Sequence, residues 1–150
     1  MKTRFSSNLQ WMTVFLPLAR KYVNIDQIRA IKGYKIPLSK NPDQDAGCTY
    51  CGDGTYIITI STHKHEIKTR LKTRNKYKYT TRTLYEMLDD LAHELAHIPT
   101  WRKRAPHPPR QMNFTGRLMA QFAHKLELFG IKDTWVPFTR FEKILKKQSL

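Results

Sequence analysis

Apolar residues recur at helical spacing near the start of the chain. Leu9, Met12, Phe15, Leu16, Ala19 and Val23 share one side of a helix over residues 8–24, with a bend expected at Pro17. Asp26 is placed to cap a further turn carrying Ile28 and Ile31, which Gly33 would end. Residues 41–54 are turn formers throughout and predict a loop. The period then changes. Residues 56–62, YIITIST, are rich in β-branched side chains and predict a strand. Across residues 64–78 every even position is charged (Lys64, Glu66, Lys68, Arg70, Lys72, Arg74, Lys76, Lys78), and the odd ones, such as Ile67, Leu71 and Tyr77, are less so. A period of two means extended chain with one face apart from the other. This predicts a strand or hairpin with a basic outer face, turning near Asn75.

Helical spacing returns at Thr83. Thr83-Leu-Tyr-Glu86 has the form of a capping box, in which the cap side chain and the third helical residue satisfy each other's backbone amides. Leu84, Leu88, Leu91, Leu95 and Ile98 follow as one apolar stripe, and Pro99 stops the helix. Residues 99–111 hold four prolines and a basic cluster and predict a loop. Phe114, Leu118, Phe122, Leu126 and Phe129 form another stripe ended by Gly130, and a last short helix is expected over 139–147. The expected organisation is a single domain over 1–150. It has a helical part at about 8–32, a core at about 45–130 and a short C-terminal helix.

Within the first stripe lies His93-Glu-Leu-Ala-His97, an H-E-x-x-H sequence. Residues four apart sit one turn apart on the same helix face, so both imidazoles can bind one Zn²⁺ at about 2.0–2.1 Å. Zinc lowers the pKa of a bound water and polarises a carbonyl, and Glu94 is placed to take the water's proton and pass it to a leaving amine. The leucines point to the core while His93 and His97 share a separate flank. A peptidase zinc needs a third protein ligand and one open position. His107, His124, Glu127 and Asp133 are the candidates downstream, and His107, in the loop between the two helices, is favoured. Asp89 and Asp90 are either orienters of a ligand imidazole or ordinary charges of the first helical turns. Cys48 and Cys51, with His63 and His65, have some of the pieces of a structural zinc site, but a pair of free thiols in a turn is the preferred reading.

Charge alters the picture of partners. The 150 residues carry 27 Lys+Arg against 12 Asp+Glu, a formal charge of +15. Such a field attracts polyanions, of which nucleic acid is the commonest. The ribbon over 64–78 is the expected phosphate-contacting element, with Tyr77 and Tyr79 set to stack on unpaired bases; the same lysines would also guard a bare sheet edge. Two cysteines give no disulfide framework, and the short apolar stretch 11–19 is followed by Arg20 and Lys21 instead of a cleavage site. The expectation is an intracellular protein with no membrane span.

The chain resembles the SprT-like zinc metallopeptidases, including their compact bacterial and viral members. The resemblance rests on His93-Glu-Leu-Ala-His97, on His107-Pro-Pro-Arg110 ahead of an aromatic-rich helix starting near Phe114, and on Gly47-Cys48 ahead of a strand. It covers about residues 45–125. It implies an α+β, minimal zincin-like fold, with a small antiparallel or mixed sheet packed on the H-E-x-x-H helix. It also implies His93, His97 and His107 as zinc ligands, Glu94 as the catalytic residue, and protein substrates associated with DNA. No C-terminal zinc ribbon is present, and the span from His97 to His107 is longer than in the shortest members. Two other functions fit the same residues. One is a basic nucleic-acid-binding protein with a structural or vestigial zinc site. The other is a peptidase with no nucleic-acid role.

Overall fold

The computed structural model describes residues 2–35, 45–70, 75–101 and 109–148, with the backbone alone along 65–70 and 75–79. The chain is a mixed α+β structure. A four-stranded sheet contains β1 (Arg4–Phe5), β2 (Ile28–Tyr34), β3 (Ala46–Tyr50) and β4 (Tyr56–Ser61) in the order β1-β2-β4-β3. The first three in that order run parallel, and β3 closes the end antiparallel to β4. A separate hairpin, β5 (His63–Arg70) with β6 (Asn75–Thr81), leads into helix α1 (Leu84–His97). Helices α2 (Pro109–Leu128) and α3 (Phe138–Gln148) follow. Among the described residues, no helix is long and apolar enough to cross a membrane.

Several expectations stand corrected. The N-terminal stripe does bury Leu9, Met12, Phe15, Leu16 and Ala19, but on two 3₁₀ segments, Ser7–Val14 and Leu16–Lys21, with Pro17 in the first turn of the second. Asn24, not Asp26, caps the turn at Ile25–Gln27, accepting from the Asp26 amide at 3.2 Å. Ile28 and Ile31 belong to strand β2, not to a helical turn. Residues 46–50 are a strand and not part of a loop; their pairing with β4, Cys48 opposite Ile58 and Tyr50 opposite Tyr56, overrides a composition that disfavours strands. The turn-forming residues that remain include Gly52 and Gly54, both at positive φ. The expected antiparallel pairing is present as β5 and β6, with a register irregularity between Ile67 and Thr69, but Asn75 is the first residue of β6, paired with Arg70.

The core forms where the N-terminal segments, the sheet and all three helices meet. Phe15 is fully buried, with its ring 5.5 Å from Phe122 and 5.6 Å from Phe141. Ile31, Ile58 and Ile60 cover the sheet side and Met87 and Leu91 the α1 side, all fully buried. Gly33 permits the first 3₁₀ segment to lie directly on β2. A Cβ there would come within 2.5 Å of Asn8 Oδ1 and 2.9 Å of Leu9 Cγ.

We expect Gly33→Ala to push that segment off the sheet, costing about 1–3 kcal/mol as overpacking does. Thermal melting should fall by about 2–10 °C for a chain of this size. An unchanged midpoint would mean that the close approach at Gly33 has no energetic weight.

Candidate metal centre

Helix α1 forms because its ends and its faces agree. The Thr83 hydroxyl accepts from the Glu86 amide at 3.2 Å, and the Glu86 carboxylate accepts from the Thr83 amide at 3.2 Å, completing the expected capping box. Leu84, Leu88, Leu91, Leu95 and Ile98 are all buried, as the stripe required. With those positions sealed against the core, the helical period turns His93, Glu94 and His97 to a neighbouring flank. The two imidazole rings stand 4.9 Å apart, nearly perpendicular. The potential donor atoms of His93, Glu94 and His97 all lie within 4.8 Å of one another, close enough to converge on one cation. Both histidines are partly exposed, whereas Glu94 is 5% exposed.

Burial dominates the electrostatics. Desolvation, with a smaller contribution from the Asp90 charge, pushes the Glu94 carboxyl up to about 8 in the metal-free chain. A cation seated among the three residues would act in the opposite direction. Asp90 lies one turn earlier and is tied to a buried arginine. Arg82 Nη1 is 2.6 Å from the Asp90 carboxylate and donates to the Ser61 carbonyl at 3.1 Å; Nη2 is 3.7 Å from Asp45. Burial still raises Asp90 to about 6, with Arg82 offsetting part of the effect. Asp90 therefore anchors α1 to the sheet through Arg82.

The surroundings come from the sheet and from α2. Cys48 on β3 is near enough for Glu94 to act on it: burial first, then Glu94, then Cys51 raise the thiol to about 12. Cys48 and Cys51 are free thiols, and His63 Nδ1 is engaged with the Thr62 hydroxyl at 2.8 Å. Beyond His97, Trp101 lies 6.3 Å away ring to ring and meets Tyr56 at 5.5 Å and Tyr50 at 6.3 Å, making an aromatic wall. Of the other candidate ligands, His124 and Glu127 are exposed on α2 and lie 4.0 Å from each other, away from the motif. Asp133 accepts from the Trp135 amide at 2.9 Å. His107 lies outside the described residues, as do the side chains of the basic ribbon from 65 onward.

Gln111 is the residue that sequence reasoning missed. It is fully buried on α2, and its Nε2 donates to the His93 carbonyl at 3.0 Å while lying 3.3 Å from His93 Nδ1. Its Oε1 is buried with no hydrogen-bond partner. A signal existed: Gln111 sits seven residues before Leu118 and eleven before Phe122, on the core stripe of its helix, where a polar side chain needs a partner. An imidazole that offers Nε2 to a metal carries its proton on Nδ1 and needs an acceptor there. Turning the Gln111 amide over would place Oε1 against that proton, exchanging the bond to the His93 carbonyl for one to the ring.

No protein-family model, curated protein or solved structure matches this chain.

Two outcomes follow from this geometry. With a chelator present, the raised Glu94 group favours folding while protonated and loses that contribution as pH rises from about 4.5 to about 8. Glu94→Gln should therefore melt progressively higher than the parent as pH increases through that window, the two converging at low pH. A constant difference would show that Glu94 is not held in its neutral form. Separately, Gln111→Leu should weaken binding of added Zn²⁺ by about 10–100-fold, the usual effect of losing a ligand's supporting hydrogen bond. Titration against a metal indicator measures it, and an unchanged affinity would remove Gln111 from the site.

Proposed function

We propose that this chain is a zinc metallopeptidase that hydrolyses peptide bonds at His93, Glu94 and His97. The observation that carries the proposal is the convergence of two imidazoles and one carboxylate, within 4.8 Å, on the open flank of a helix whose other face is buried. Two nitrogen donors with an oxygen group beside them suit zinc better than magnesium or calcium, which prefer oxygen throughout. A bound Zn²⁺ supplies Lewis acidity towards a carbonyl and makes water acidic near neutral pH.

The chain's own residues do the rest. His93 and His97 hold position because α1 is fixed by its leucines and by Arg82. Glu94 takes the proton of the attacking water and delivers it to the departing amine. Its burial keeps the carboxyl basic enough for that exchange, in balance with the cation beside it. Tyr50, Tyr56 and Trp101 offer an aromatic surface beside His97 against which an apolar side chain of a substrate can rest. We assign the third ligand to His107. It precedes Gln111 by four residues, a reach of at most about 14 Å of extended chain, and Gln111 contacts His93. The order H-E-x-x-H, then His107-Pro-Pro-Arg110, then an aromatic helix is also what the chain shares with SprT-like peptidases.

Glu94→Gln should keep one zinc per chain while cleavage of a denatured protein substrate falls by about 10²–10⁴-fold, the range of a general acid–base group. Unchanged turnover in that variant would contradict the mechanism. His107→Ala should lose the metal; full zinc retention in that variant would remove His107 from the site.

A further inference from the structure

Among the described residues, a set of cations comes together away from His93, Glu94 and His97. Lys2, Arg4, Arg20, Arg29 and Lys32 line one open groove of about 1240 Å³ along the β1 edge of the sheet. All five are exposed. One acid, Asp26, shares the groove, and it already lies 3.5 Å from Arg20. The strand register shows how the cluster arises. Arg4 on β1 stands opposite Ala30, and Ile57 on β4 stands opposite Ala30 from the other side. Lys32 is two residues on from Ala30, so Arg4, Lys32 and Ile57 share one face of the sheet. Ile31, Ile58 and Ile60 are fully buried, and by the same alternation they point to the other face, towards the core. The register also steps between Ile28 and Ala30, so Arg29 is an added residue with no partner position, and a bulge of this kind re-aims a side chain.

We propose that this groove is a binding site for single-stranded nucleic acid, separate from the metal centre. The volume exceeds the usual range for small-molecule pockets, about 300–1,000 Å³, and suits an extended ligand. Five cations against one paired acid give a positive channel, and the chain's net charge of +15 adds to its field. The lining also includes the half-buried Ile57, on the same face as Arg4 and Lys32, which offers unpaired bases an apolar surface between the cations. A duplex keeps its bases stacked inside and would use only the charge. An anionic membrane meets a protruding surface more readily than a concave one. The site does not depend on the peptidase reading, and it uses none of residues 64–78.

The test is fluorescence anisotropy of a labelled oligothymidylate over a salt series, with the full chain. The comparison is between Arg4→Gln/Arg29→Gln/Lys32→Gln and a control of equal charge loss on the exposed face of α3, Lys143→Gln/Lys146→Gln/Lys147→Gln. Single strands lose about 0.7 in the slope of log K against log salt per phosphate contact removed. The groove variant should flatten the slope by about 2, and the control should leave it at the parent value. Equal changes in both variants would mean that net charge alone attracts the strand, which overturns the proposal. So would the absence of oligothymidylate binding by the parent at low salt. A third contrary result would be a groove variant that binds the oligonucleotide normally but loses binding to phosphatidylserine vesicles, which would make the surface a membrane contact.

Discussion

Leu84, Leu88, Leu91 and Leu95 seal α1 onto the core, and the geometry of the candidate site follows from that seal. A helix repeats every 3.6 residues, so fixing four leucines fixes the direction of every other side chain on it. His93 and His97 are left one turn apart on a flank that still reaches solvent. Glu94, next to His93, is carried almost wholly inside. The helix cannot turn to relieve Glu94 without exposing leucines, and full burial of such a side chain contributes about 1.5–3 kcal/mol. Arg82 reinforces the position from below by tying Asp90 of α1 to the end of β4. The core thus holds the desolvated carboxyl in place.

What the sequence disclosed follows from the same physics. Helix α1 was legible because period, cap and stop coincided within the seventeen residues from Thr83 to Pro99. Strand β4 was legible because YIITIS is β-branched on both faces, as a strand with neighbours on both sides should be. Strand β2 was not. A bulge interrupts its alternation and leaves Ile28 and Ile31 three apart, which imitates a helix. Strand β3 was hidden for a different reason: Gly47 and Cys48 carry little strand preference, and the pairing with β4 supplies what they lack. At the site, His93, Glu94 and His97 announced themselves by spacing. Gln111 acts from another helix, eighteen positions on from His93, and spacing within one element cannot reveal it.

The fold also separates its two chemistries. Two imidazoles and a buried carboxyl gather on α1, while a set of cations lines the β1 edge of the sheet. Cations beside the histidines would compete electrostatically with a divalent ion. The groove runs along the β1 edge, on elements other than the helix that carries the two histidines. Cys48 is close enough to feel the Glu94 charge, and its burial holds it as a thiol, which is a poor ligand.

Zinc K-edge X-ray absorption of the metal-loaded protein tests the central claim most directly. The account predicts a four-coordinate shell of nitrogen and oxygen at about 2.0–2.1 Å with the multiple-scattering pattern of imidazole. A sulfur scatterer at about 2.3 Å would place the metal on Cys48 or Cys51 and would contradict a zinc site built on His93, Glu94 and His97.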